Sequence, residues 1–122
     1  MNNNTRILFV DDEKDICEKL AYLFELEDFK TLTAFSGNEA IEVLNKTADI
    51  DFIVSDMRMP NGDGLYLLKY VTQNFPKIKM IILSGFSEVT EAEVIKLGAI
   101  VYLHKPNDVD TLIELVKSHC AS

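Results

Sequence analysis

The sequence predicts an α/β protein, a five-stranded parallel sheet with helices on both faces. Three observations predict it. Short apolar runs rich in β-branched residues alternate with stretches of helical length and period along the chain. The runs are almost continuously apolar, as in strands buried on both faces, instead of alternating apolar with polar. Each strong run ends in polar or charged residues, and right-handed crossovers gather such strand ends on one edge of the sheet.

The elements follow in order. "MNNNT" is polar and frays. "ILFV" (7–10) is the first strand. Ile16, Leu20, Leu23 and Phe24 stand at i, i+4, i+7 and i+8, one stripe of a helix. "KTLTAF" (30–35) is a weaker strand, and Ala40, Ile41 and Leu44 mark the second helix. "FIV" (52–54) is the third strand. Leu65, Leu68, Val71 and Phe75 form the next stripe, with Pro76 as its stop. "MIIL" (80–83) precedes a fourth helix over 88–98, where Gly98 suits a helix C-terminus. "AIVYL" (99–103) is the last strand, and Val109, Leu112, Ile113 and Val116 the last stripe. No linker, repeat or low-complexity block divides the chain, so residues 1–122 read as one domain.

Composition narrows the function. The chain has 122 residues, 48% hydrophobic and 26% charged, which suits a globular domain with a real core. Its net charge of −8 disfavours nucleic acid or an anionic membrane as a direct partner, since both need a basic patch. Cys17 and Cys120 lie far apart without C-x-x-C spacing, and read as free thiols in a reducing compartment. The start lacks a secretory apolar region, and no apolar run approaches the ~18 residues that span a bilayer. A soluble, cytoplasmic protein is the expectation.

The strand ends carry the chemistry. After "ILFV" come Asp11, Asp12 and Glu13; after "FIVS" comes Asp56; after "MIIL" come Ser84 and Gly85; after "AIVYLH" come Lys105 and Pro106. Parallel topology collapses these distant residues onto one edge, where open α/β sheets bind ligands. Three carboxylates there repel, and their full ionisation needs cations. Lys105 supplies one charge and a divalent ion the rest. A hard, oxygen-only donor set without His or Cys suits Mg²⁺ and argues against zinc. Beside Mg²⁺ a carboxylate can attack a phosphoryl group and form an aspartyl phosphate. Ser84 is a hydroxyl donor for a phosphate oxygen. The first strand is expected to deliver its acids to this edge without burying them.

Each residue also has a plainer reading. Asp12 can be only the N-cap of the first helix, with Glu13 and Asp15 favoured by the helix dipole. Asp56 can open a turn in "DMRMPNGDG", and Gly64 can serve backbone geometry near the following helix. Ser84 and Lys105 can be solvated loop residues, and Tyr102 a strand-edge aromatic. His104 and His119 invite a phosphohistidine reading, but neither sits in a suitable helical pattern, so both are expected to be solvent-exposed.

Taken together, "VDDE", "SDMRMPNGDG", "LSGF" and "YLHKP" resemble, in order and spacing, the receiver domain of two-component response regulators. The resemblance covers residues 6–119, nearly the whole chain. It implies a doubly wound (βα)5 fold with strand order 2-1-3-4-5, an order the alternation alone leaves open. It implies that Asp56 accepts the phosphoryl group, and that Asp12 and Asp56 bind Mg²⁺ directly while Asp11 acts mainly through water. The backbone carbonyl of Arg58 would complete the protein ligands, Ser84 and Lys105 would hold the phosphoryl group, and Tyr102 would be the aromatic switch. Lys105–Pro106 is cis in the family. The donor would be a histidine kinase or phosphotransfer protein, and the readout an output domain, another protein or a homodimer. The resemblance makes the chain a switch with limited self-catalysis. The alternative is a Mg²⁺-dependent phosphohydrolase with an aspartate nucleophile, but such enzymes place a general acid two residues after the nucleophile, where Arg58 stands here. Arg58 and Phe86 occupy the two family positions that tune dephosphorylation, and neither can orient an attacking water, so slow self-dephosphorylation is expected. Asn107 stands where the family commonly has a large apolar residue, which exchanges an apolar contact for a helix cap.

Overall fold

The computed structural model describes residues 5–84, 91–104 and 109–120. Its elements alternate as the patterns require: β1 (Arg6–Val10), α1 (Lys14–Glu25), β2 (Lys30–Ala34), α2 (Gly37–Lys46), β3 (Phe52–Asp56), α3 (Gly64–Asn74), β4 (Lys79–Ser84), α4 (Glu91–Lys96), β5 (Val101–His104) and α5 (Val109–Cys120). All strand pairings are parallel and the order is β2-β1-β3-β4-β5, as the resemblance implied.

Successive side chains of a strand point to opposite faces, so each central strand feeds two cores. Leu8, Val10, Ile53, Met80 and Ile82 pack with Ala40, Leu44, Leu67, Leu68, Val71 and Val94, from α2, α3 and α4. Ile7, Phe9, Phe52, Val54 and Ile81 pack with Cys17, Ala21, Phe24, Leu112, Ile113 and Val116, from α1 and α5. Phe24 anchors the second core, with ring centroids 5.0 Å from Phe9 and 5.5 Å from Phe29. Such tilted pairs add to plain burial.

The stripe expected on α1 is rotated. Cys17, Ala21 and Phe24 are its buried residues, while Ile16 is 43% exposed. The small residues Cys17 and Ala21 let the helix approach the sheet closely, so the larger Ile16 is turned outward. On α3 the stripe is wider than expected, because Leu67 is fully buried beside Leu68 and Val71. The helix ends show ordinary devices. The Ser36 hydroxyl accepts the Glu39 amide at 3.0 Å and the Glu39 carboxylate accepts the Phe35 amide, close to a capping box. Asp63 caps α3 by accepting the Tyr66 amide at 2.9 Å. Gly98, at φ 120°, donates its amide to the Ile95 carbonyl just past α4, as its position suggested. Cys17 and Cys120 are both free. Among the described residues no helix is long and apolar enough to cross a membrane.

Candidate functional site

Register places the site. Val10 is paired with Ser55, so the next residues, Asp11 and Asp56, leave the sheet side by side. The ladder extends past the strands: the Asp11 amide donates to the Ala34 carbonyl at 3.2 Å, and the Met57 amide to the Leu83 carbonyl at 2.9 Å. Carboxylate oxygens of Asp11, Asp12 and Asp56 all lie within 4.8 Å of one another. Opposed oxygens of an octahedral Mg²⁺ at ~2.1 Å lie about 4.2 Å apart, so this all-oxygen group fits such an ion with small side-chain movement.

The three acids are not equivalent. Asp11 is buried, with 4% of its surface exposed, whereas Asp12 is exposed and Asp56 half-buried. This corrects the expectation that β1 leaves its acids unburied: Asp12 and Glu13 face water, but Asp11 does not. Burial of Asp11 is tolerable because its Oδ1 accepts the Glu13 amide at 3.0 Å. That bond also disfavours the plainer reading of Asp12 as a cap alone. Glu13, not Asp12, is the cap position of α1, no side chain caps it in the usual way, and the carboxylate at the turn belongs to Asp11. Asp12 is thus left to the site.

The loop after Asp56 is anchored from within. Met57 and Met59 are buried in the α2–α3–α4 core, and Arg58 between them is exposed. Alternation of apolar, charged and apolar in "MRM" is the one sequence signal for this anchoring. The Ser55 hydroxyl, fully buried, donates to the Asp56 carbonyl at 2.9 Å. Gly64 donates its amide to the Met57 carbonyl at 2.8 Å, and a Cβ on it would meet the Asp56 carbonyl oxygen at 2.5 Å. Only glycine allows α3 to begin this close to the strand end.

Beneath the acids lies Cys17, whose thiol donates to the Phe9 carbonyl at 3.3 Å. Burial, and then the charge of Asp11, push this thiol up from 9.0 to about 11. It is a packed, protonated core residue.

The main chain of Ser84 ends β4 on the same edge, paired with His104, and Tyr102 pairs with Ile82. The side chains of Ser84, Tyr102 and His104 lie outside the described residues, as do Phe86, Lys105, Pro106 and Asn107 entirely. His119 is at the opposite end of the sheet: its carbonyl accepts the Lys79 ammonium at 3.2 Å, and its ring is half-buried, with Nδ1 2.9 Å from the Leu115 carbonyl.

Residues 7–117 match the sequence profile of the response regulator receiver domain. The chain is 32% identical over 117 residues to sporulation initiation phosphotransferase F of Bacillus subtilis, covering 95% of this chain and 94% of that one. It is 36% identical over 115 residues to regulatory protein AtoC of Escherichia coli, covering 92% of this chain but only 24% of that regulator. Among solved structures it is similar to a chain of the CheX–CheY–BeF3–Mg²⁺ complex of Borrelia burgdorferi, at 27% identity and a TM-score of 0.87, covering 97% of this chain and 90% of that one.

Proposed function

The chain belongs to the response regulator receiver domain family of two-component signalling, and from that premise we propose that Asp56 is its phosphoacceptor, charged by a histidine kinase or phosphotransfer protein. The observation that carries this is the group of Asp11, Asp12 and Asp56 within 4.8 Å at the strand-end edge. A carboxylate oxygen of Asp56 attacks the phosphorus of a phosphohistidine on the partner. The O–P bond forms as the P–N bond breaks, and the imidazole leaves with the electron pair.

Asp12 and Asp56 would hold Mg²⁺ directly, with Asp11 acting mainly through water and the Arg58 carbonyl completing the protein ligands. When bound, the ion supplies the positive charge that offsets the transferring phosphoryl oxygens. A relative captured with BeF3 and Mg²⁺ supports this choice of ion. Asp11 is aimed by its bond to the Glu13 amide, and Ser55 holds the main-chain carbonyl of Asp56. Ser84 and Lys105 receive the phosphoryl group, and Tyr102 follows Ser84 to change a partner surface. Arg58 and Phe86 slow hydrolysis of the aspartyl phosphate. The domain has its core at residues 6–119. It works in the cytoplasm as a switch, not a metabolic enzyme, without touching nucleic acid itself. Its readout is an output domain, a partner protein or a homodimer.

The test is incubation with Mg²⁺ and acetyl phosphate followed by intact mass. One added phosphoryl group, absent in Asp56→Asn, is expected. No adduct with any divalent metal would overturn the assignment, and turnover of phosphate esters would favour an enzyme instead.

A further inference from the structure

We propose that the first turn of α2 positions the phosphoacceptor loop, residues 57–63, through a backbone clamp that makes Gly37 and Gly62 positioning residues for the site. This rests on the reading of Asp56 and its loop as the metal and phosphoryl site.

A helix leaves its first amides without partners inside the helix. In α2 the side chain of Ser36 takes only one of them, that of Glu39. The amides of Gly37 and Asn38 donate instead to the carbonyls of Gly62 and Asn61, at 2.8 and 3.1 Å. The loop therefore serves as a second cap for α2, and α2 fixes the loop in return. Two consecutive left-handed residues, Asn61 at φ 61° and Gly62 at φ 103°, shape the loop that presents these carbonyls.

The fit demands glycine on both sides. A Cβ on Gly37 would lie 2.5 Å from the Gly62 carbonyl oxygen, and a Cβ on Gly62 would lie 3.0 Å from the Asn38 nitrogen. The obstacle at Gly37 is backbone and cannot rotate away; at Gly62 the Tyr66 ring edge lies equally near at 3.0 Å, and the positive φ of 103° itself favours glycine. The loop is also held by Met57 and Met59 in the core, by the main-chain bonds of Met57 to Leu83 and Gly64, and by Asp63 on α3. The clamp ties it to a separate helix. A shift at Gly62 is four residues from the Arg58 carbonyl and six from Asp56, in a loop pinned at both ends. A strain there is passed to the site.

The clean perturbation is Gly37→Ala. Gly37 is not in the left-handed region, so alanine suits its backbone and would ordinarily favour the helix. The three atoms nearest its Cβ all belong to the Gly62 backbone. Ser36→Ala is the control, since it weakens the α2 cap without entering the clamp. Mg²⁺ affinity is read by amide chemical shifts in a titration of the whole chain. Gly37→Ala is expected to raise the dissociation constant about tenfold, the lower range for losing a residue that supports metal ligands. Ser36→Ala is expected to leave it near the wild-type value. Coupling is reciprocal, so saturating Mg²⁺ should slow hydrogen exchange at the Gly37 and Asn38 amides of the wild type.

Equal affinity in Gly37→Ala and wild type overturns the clamp while leaving the phosphoacceptor reading intact. So does an equal loss in Ser36→Ala, which would make stability the cause. If Gly37→Ala does not fold, the wild-type amides decide: slower exchange with Mg²⁺ supports the clamp, and unchanged exchange overturns it. Wild type that binds no Mg²⁺ overturns the functional reading, and the clamp with it.

Discussion

Replacing Asp12 by Asn should make the metal-free fold more stable. The substitution is nearly isosteric and removes one of three carboxylates whose oxygens lie within 4.8 Å. At that separation each pairwise repulsion is about 0.9 kcal/mol at the dielectric of water and about 3.5 kcal/mol at an effective value near 20. Asp12 is exposed, so the lower figure governs, and two neighbours together give a gain of about 1–2 kcal/mol. For a domain of this size that is a rise in Tm of about 4–8 °C. Asp12 is the right choice because the turn carboxylate that accepts the Glu13 amide belongs to Asp11, so no helix cap is lost. Thermal and urea unfolding, with and without Mg²⁺, measure the effect. Saturating Mg²⁺ should cancel or reverse the gain, because the wild type then adds binding energy that the variant lacks. Salt near 1 M should shrink it. A variant no more stable than wild type without metal, or a gain unchanged by Mg²⁺ and salt, would refute the electrostatic account.

Gly64→Ala drives a Cβ against the Asp56 carbonyl and Met57 Cα, so it should cost about 1–3 kcal/mol in unfolding free energy and slow phosphorylation from acetyl phosphate. Phe24→Ala should cost about 3–5 kcal/mol in urea unfolding, since Phe24 is fully buried between Phe9 and Phe29. The raised thiol of Cys17 contributes stability that is fully present below pH 9.0 and lost as pH rises through about 11. The fall in urea midpoint over that window should be shallower in Cys17→Ala, and at pH 8 an alkylating reagent should modify exposed Cys120 and spare Cys17. Arg58→Asn should speed loss of the aspartyl phosphate, read by intact mass over time, and an unchanged lifetime would remove Arg58 from the tuning role.

Strand positions were legible because five apolar runs of β-branched residues, separated by helical stretches, admit few other arrangements. Candidate chemistry was legible too, since acids placed directly after apolar runs must emerge at strand ends. Helix orientation was less so. The α1 pattern admits two neighbouring stripes, and the choice between them depends on how closely Cys17 and Ala21 approach the sheet. Met57 and Met59 went unrecognised as anchors because alternate burial in a loop has no local signature apart from the spacing itself.

By itself, then, the sequence determined the parallel α/β class and that Asp11, Asp12 and Asp56 would share an edge, because both follow from local periodicity and the handedness of crossovers. Tertiary structure alone decided which acid is buried and which face each helix covers. It also decided that Gly37 and Gly62 meet. Those outcomes depend on register and on contacts between residues distant in the chain, and no local pattern encodes them.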